Sequence, residues 1–120
     1  MDEKIEQWKK EFELKDLKLV GYRGGFPMIE FEKNKLKKDN KREIDKIVRR
    51  AEMSAGMELG VGLNFRKTAF VIINENTVVV CGYETIIQRI LENILENPYL
   101  QNVINTVQKT SKKLKRETSL

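Results

Sequence analysis

The chain has 120 residues, with 23 Lys plus Arg against 18 Asp plus Glu for a net charge of +5, no histidine, one cysteine and two prolines; that length holds one compact domain. A lone cysteine excludes an intrachain disulfide. The lack of histidine removes the usual zinc sites and the Ser-His-Asp and Cys-His nucleophiles, each of which takes an imidazole as base.

The first segment opens at Asp2, and Ile5, Trp8 and Phe12 share one helical face, so a short amphipathic helix is expected to end near Leu14 to Asp16. Leu17, Leu19 and Gly21 then alternate with Lys18, Val20 and Tyr22 in strand rhythm, and Gly24-Gly25 supplies a turn. Residues 26–31 read as a second strand, placed at the sheet edge because Pro27 lacks an N–H. Residues 32–39 form a polar loop. Asn40, with Glu43 three positions on, has the form of a helix N-cap and capping-box partner. The helix it opens carries an apolar stripe of Ile44, Ile47, Val48, Ala51 and Ala55, while Arg42, Lys46, Arg49, Arg50 and Met53 project elsewhere.

At Leu59 the period changes from helix to strand. Leu59, Val61, Leu63 and Phe65 fall on one side and Gly60, Gly62, Asn64 and Arg66 on the other, a strand with a bare face that lets another backbone or helix come close, a loop being the alternative. Residues 68–73 and 77–81 are apolar and β-branched runs joined by Asn74-Glu75-Asn76, a hairpin expected to be covered on both faces. Thr85 with Gln88 suggests a second capping box, opening a helix with a broad stripe of Ile86, Ile87, Ile90, Leu91, Ile94 and Leu95. Asn97-Pro98 fits another helix start, with Leu100, Val103, Ile104 and Val107 as its stripe, a kink being the alternative. Residues 109–120 lose the apolar period and read as a basic, frayed tail. The expected unit is therefore one domain over residues 1–108, with 97–108 an extra C-terminal helix. The longest apolar stretch, residues 69–73, is far short of the roughly 20 that cross a bilayer. The acidic start is unlike a signal peptide, and a cytoplasmic protein is expected.

Charge is unevenly spread. Residues 33–50 hold nine basic residues and three acids, and residues 108–120 hold five and one, so the rest is mildly acidic. Such a positive segment attracts nucleic acid, an acidic protein or an anionic surface, although Lys, Glu and Ile enrichment is also a thermophile habit and can mark a solvated face. No Phe, Tyr or Trp lies between Lys33 and Met57, so no stacking platform for single strands is present. The glycines before Lys67-Thr68 imitate a phosphate loop, but Arg66 stands where glycine is required and a strand, not a helix, follows. Glu30 and Glu32, on one side of an edge strand, are expected to face water. Cys81 is expected to be a small core residue. No catalytic, cofactor-binding or metal-ligating residue is expected.

The order helix, two strands, helix, three strands, helix resembles the roadblock/dynein light-chain family, with profilin-like and longin-type platforms as near relatives. Gly25-Phe26-Pro27-Met28-Ile29 stands where that family's first hairpin carries glycine, an apolar residue, proline and an aliphatic pair, and Leu59-Gly60 stands where its second helix meets the third strand. The likeness spans residues 3–97. It implies an α/β sandwich with a five-stranded, mostly antiparallel sheet between helices, the second helix on one face and the first and third on the other. It also implies a non-enzymatic homodimer paired edge to edge through Gly60, Val61, Gly62 and Leu63. Such dimers are platforms for Ras-like small GTPases, and Arg42, Lys46, Arg49, Arg50 and Met53 are the expected contacts to that partner or another acidic protein surface. The chain departs from the family in its basic loop over residues 33–40 and in its extension past Asn97. The alternative is a small basic nucleic-acid-binding protein using residues 33–50 and the tail.

Overall fold

The computed structural model describes residues 1–37, 39–58 and 69–96. The elements are helix α1 (Asp2–Glu11), strands β1 (Lys18–Arg23) and β2 (Phe26–Glu32), a 3-10 turn at Lys33–Lys35, helix α2 (Lys41–Glu58), strands β3 (Phe70–Ile73) and β4 (Thr77–Cys81), and helix α3 (Glu84–Ile94). The strands form one antiparallel sheet in the order β1-β2-β4-β3. The mixed α/β class is as expected. The expected strand over residues 59–65, the helix over 97–108 and the tail lie outside the described residues.

Helix α1 carries Asp2 and Glu3 in its first turn and Lys9 and Lys10 in its last, which suits the helix dipole. It ends earlier than the apolar period suggests. Phe12 caps it, Glu13 takes a left-handed φ of 53°, and Leu14 N–H returns to Lys9 O at 3.0 Å. That six-to-one bond is a Schellman closure, with glutamate at the position glycine normally holds. The reversal turns Leu14 and Leu17 into the core, where both are buried.

Gly24 and Gly25 make the β1–β2 turn with φ of 59° and 87°, the two positive values a two-residue hairpin requires. Strand β2 is not at the edge, because it pairs with β1 on one side and β4 on the other. Pro27 is tolerated since its pairing with β4 begins one residue later, at Met28 opposite Cys81. At the last position Gly82 N–H donates to Pro27 O at 3.4 Å, so only one terminal bond is lost.

Asn40 caps α2 as expected, its Oδ1 accepting from Arg42 N–H at 2.9 Å and Glu43 N–H at 3.3 Å. The second capping box does not form. Tyr83 stands at the N-cap of α3 without a side-chain bond, and Thr85 already lies within the helix. Gln88 is used elsewhere: its Oε1 accepts from Trp8 Nε1–H, and its Nε2 donates to Glu11 at 3.0 Å and Glu92 at 2.9 Å. A glutamine on the flank of a helix thus fastens α1 to α3.

Residues paired across a sheet share a face. Ile29 and Phe31 of β2 lie opposite Val80 and Val78 of β4, and all four are fully buried. They join Trp8, the apolar stripe of α2 and the whole stripe of α3 in one core, with Leu19, Val71 and Ile73 packed against it from the outer strands. All three helices therefore cover the same face. The expected sandwich, with α2 on the opposite side, is replaced by two layers: α2 packs on α3, where Arg89 Nη1 bonds Ser54 Oγ. The other sheet face, with Ile72 opposite Val79 and Val79 opposite Glu30, is not part of that core. Cover on both sides of the β3–β4 hairpin, expected from its composition, is not found among the described residues.

Two substitutions at helix ends should act with opposite sign. Glu13→Gly should stabilise by about 1 kcal/mol, because it removes the Cβ crowding of the left-handed conformation. Asn40→Ala should cost about 1 kcal/mol through loss of the cap. Urea unfolding midpoints of both variants against the wild type check the two signs.

Candidate functional site

The expected contact residues lie on one exposed ridge. At 3.6 residues per turn, Arg42, Lys46, Arg49, Arg50 and Met53 fall within an arc of roughly 100° on α2, over a length of about 16 Å. Ile44, Ile47, Val48, Ala51 and Ala55 fall on the opposite side, and all five are buried. Packing of that stripe onto α3 and the sheet is what turns the four cations outward. Each is exposed, and Met53 is 49% exposed at the far end.

Grooves flank the ridge on both sides. Arg50 borders one between α2 and α3, of about 200 Å³, with Ser54, Arg89 and Asn93. Arg49 borders another of about 220 Å³ between α2 and β3, with Asp45, Glu52 and Phe70. Glu52 is only 7% exposed. Its burial follows from its position between the core stripe and the ridge, on the flank that faces β3. Nothing in the local sequence distinguishes it from its neighbours.

A larger cleft of about 460 Å³ lies where the β1–β2 turn, α2 and the start of α3 meet, lined by Phe26, Pro27, Ala55, Tyr83 and Glu84. Phe26 and Tyr83 meet edge to face at 4.5 Å between ring centroids. The size suits a small molecule, but specific small-molecule sites also bring a few polar groups to one point, and the polar side chains lining this cleft among the described residues are Tyr83, Glu84 and Thr85, neighbours at the start of α3. The lining is that of an apolar contact surface.

Cys81 is buried in the sheet, its Sγ 3.9 Å from Phe26 O. Burial pushes the thiol's pKa up, and Arg23 opposes that shift in part. Arg23 reaches this place across the hairpin, where its guanidinium lies 5.3 Å from the Phe70 ring centroid. A thiol held protonated is a poor nucleophile, in keeping with its reading as a core residue. Of the two glutamates expected to face water, Glu30 departs from expectation and Glu32 does not. Glu30 is half-buried in an interior strand and pairs with Lys18 Nζ at 3.6 Å, while Glu32 faces solvent. Among the described residues no cluster of three or more His, Cys, Asp or Glu side chains could hold a metal ion, and no helix is long and apolar enough to cross a membrane. Gly60, Val61, Gly62 and Leu63, the expected dimer edge, lie outside the described residues, as does the glycine-lysine stretch of residues 60–68.

Comparison with protein-family models, curated proteins and solved structures found no match to this chain.

The raised thiol pKa sets a pH dependence. Below the ordinary thiol pKa both folded and unfolded chains hold the proton. Above it the unfolded thiol ionises while the folded one does not, so stability falls as pH climbs from about 8.5 toward the folded value. The unfolding midpoint of the wild type should therefore drop more steeply between pH 8 and about 10 than that of Cys81→Ala; parallel curves would show the thiol to be unperturbed.

Proposed function

We propose that the chain is a non-enzymatic binding module that docks an acidic protein surface through the α2 ridge. In the form implied by the roadblock resemblance it is a homodimer, and the partner is a Ras-like small GTPase or a related regulatory protein. The observation that carries the reading is the ridge itself: four cations and a flexible thioether collected on the side of α2 that the core does not use. Arg and Met are enriched at the centres of protein interfaces, Lys is not, and this surface ends in Met53. Its charges act over about 8 Å at physiological ionic strength, which suits steering of an acidic partner followed by close apolar contact. The described elements run helix, two strands, helix, two strands, helix, one strand fewer than the resemblance implies, and the expected further strand lies outside the described residues. The placement of all three helices on one face departs from it, so support for the partner class rests on the ridge.

The same stripe of cations supports a second reading, binding to nucleic-acid phosphates. Salt separates the two, because each neutralised phosphate of a duplex contributes about −0.9 to the slope of log affinity against log salt.

Calorimetric titration against a panel of Ras-like GTPases, loaded with GDP or a GTP analogue, should find a binder. Arg49→Glu with Arg50→Glu should weaken that binding at least tenfold, a loss of about 1.4 kcal/mol. Indifference of a bound GTPase to this double reversal would remove the ridge from the interface. A mixed-sequence DNA duplex bound with a steep salt slope would transfer the ridge to nucleic acid. The dimer is checked separately by solution mass: Val61→Lys should convert a wild-type dimer to monomer, and a monomeric wild type contradicts the dimer.

A further inference from the structure

Two arginines border one groove from two different helices. The groove between α2 and α3, of about 200 Å³, is lined by Ile47, Arg50, Ala51 and Ser54 of α2 and by Arg89 and Asn93 of α3. Each helix presents an arginine with a small polar side chain four residues on, one turn further along the same face: Arg50 with Ser54, and Arg89 with Asn93. Ile47 and Ala51 are buried and supply an apolar floor. The described lining includes no Asp or Glu, whereas the groove on the β3 side of the ridge has Asp45 and Glu52 along with Arg49.

The two guanidiniums play different parts. Arg89 is half-buried, with its Nη1 bonding Ser54 Oγ and its carbonyl accepting from Asn93 Nδ2 at 2.6 Å, so three of the polar side chains are positioned before any ligand arrives. Arg50 is exposed and reaches in from the other helix on a flexible stem. A guanidinium has five N–H donors and a side-chain amide two, so the bonds to Ser54 and to the Arg89 carbonyl exhaust neither group, and the Ser54 hydroxyl keeps its own proton to donate. Donors of this kind, in planar forks, match an oxyanion.

We propose that this groove binds a phosphate monoester on a protein side chain, phosphoserine or phosphothreonine, carried by the partner that the ridge docks; the inference thus rests on the reading of α2 as a protein-docking surface. Charge selects the group. A monoester carries about −1.5 to −2 at pH 7 on three acceptor oxygens, which two guanidiniums, a hydroxyl and an amide engage together. A carboxylate has one charge and two oxygens, which a single guanidinium fork satisfies, and each phosphodiester of a nucleic acid likewise brings one charge. Size selects the source. About 200 Å³ is less than the roughly 300 Å³ at which pockets for whole small molecules begin, and no aromatic ring stands among the described lining residues to stack a nucleotide base. The phosphoryl group enters, and the chain that bears it stays outside along the ridge to which Arg50 also belongs.

NMR titration of the isotope-labelled full-length chain at constant ionic strength tests the site with three probes: N-acetyl-phosphoserine methylamide, inorganic phosphate and dimethyl phosphate. The side-chain signals of Arg50, Arg89 and Asn93 should shift saturably with the phosphoserine probe, at a Kd at least tenfold lower than for dimethyl phosphate. Arg50→Gln and Arg89→Gln should each weaken phosphoserine binding at least tenfold, and Arg49→Gln should leave it within about twofold. Arg50 is exposed, so its variant keeps the test valid even if Arg89→Gln fails to fold. Equal affinity for monoester and diester, or wild-type binding by Arg50→Gln, would overturn the site. Tighter binding of inorganic phosphate than of phosphoserine would assign the groove to a free anion and overturn the protein source. The two proposals fail separately: a GTPase held through Arg49 by a chain that ignores phosphoserine removes the groove alone, and phosphoserine binding by a chain that finds no acidic protein partner removes the ridge alone.

Discussion

Burial of the α3 stripe is the constraint from which the rest of the architecture follows. Ile86, Ile87, Ile90, Leu91 and Ile94 are all fully buried, and at roughly 1.5–3 kcal/mol for each side chain removed from water they form the largest apolar commitment of any single element here. A helix so broadly apolar cannot sit at the margin of a core. It shares one core with the sheet face built by Ile29, Phe31, Val78 and Val80, and both other helices contribute to the same core. Trp8 is drawn under this layer and finds its hydrogen-bond acceptor in Gln88. The alanines of α2 share that core, and Ser54 one turn away bonds Arg89 of α3.

Orientation of the cationic ridge is a consequence of that packing. Because α2 spends Ile44, Ile47, Val48, Ala51 and Ala55 on the core, the residues on the far side of its circumference must face outward. The sequence places Arg42, Lys46, Arg49 and Arg50 there. Concentrating positive charge on a convex helix face raises the local potential without any pocket, which suits recognition of an extended acidic surface better than chemistry on a small substrate. Cys81 fits the same picture from inside the sheet, since its burial keeps the thiol protonated.

Much of the fold was legible where one local rule met no competitor. The α2 stripe, the Asn40 cap, the Gly24-Gly25 turn and the β3–β4 hairpin each follow from a few neighbouring residues. The misreadings arose where long-range partners outweighed local preference. Pro27 suggested an edge, yet the strand that bears it is interior because the proline falls where pairing with β4 runs out. Thr85 and Gln88 have capping-box spacing, but Gln88 gains more by bonding Trp8, Glu11 and Glu92. Glu13 holds a left-handed conformation that local preference disfavours, and the burial of Leu14 and Leu17 beyond it supplies the compensation. For the candidate site, the ridge residues were legible from helical periodicity, while Glu52 and Arg89 were not, because their surroundings come from β3 and from the α2–α3 contact.

Among the described residues, the sequence by itself determined where the helices and strands fall, to within a few residues, and which side of α2 is charged, since these depend on periodicity and on neighbours within a turn or two. Only the tertiary structure decided that three helices share one face of the sheet, that β2 lies inside it, and that the face bearing Glu30, Ile72 and Val79 lies outside the core. Periodicity tells each element which of its sides avoids water, but not which other element will do the covering. That choice is a competition among packings of the whole chain, settled here by the breadth of α3.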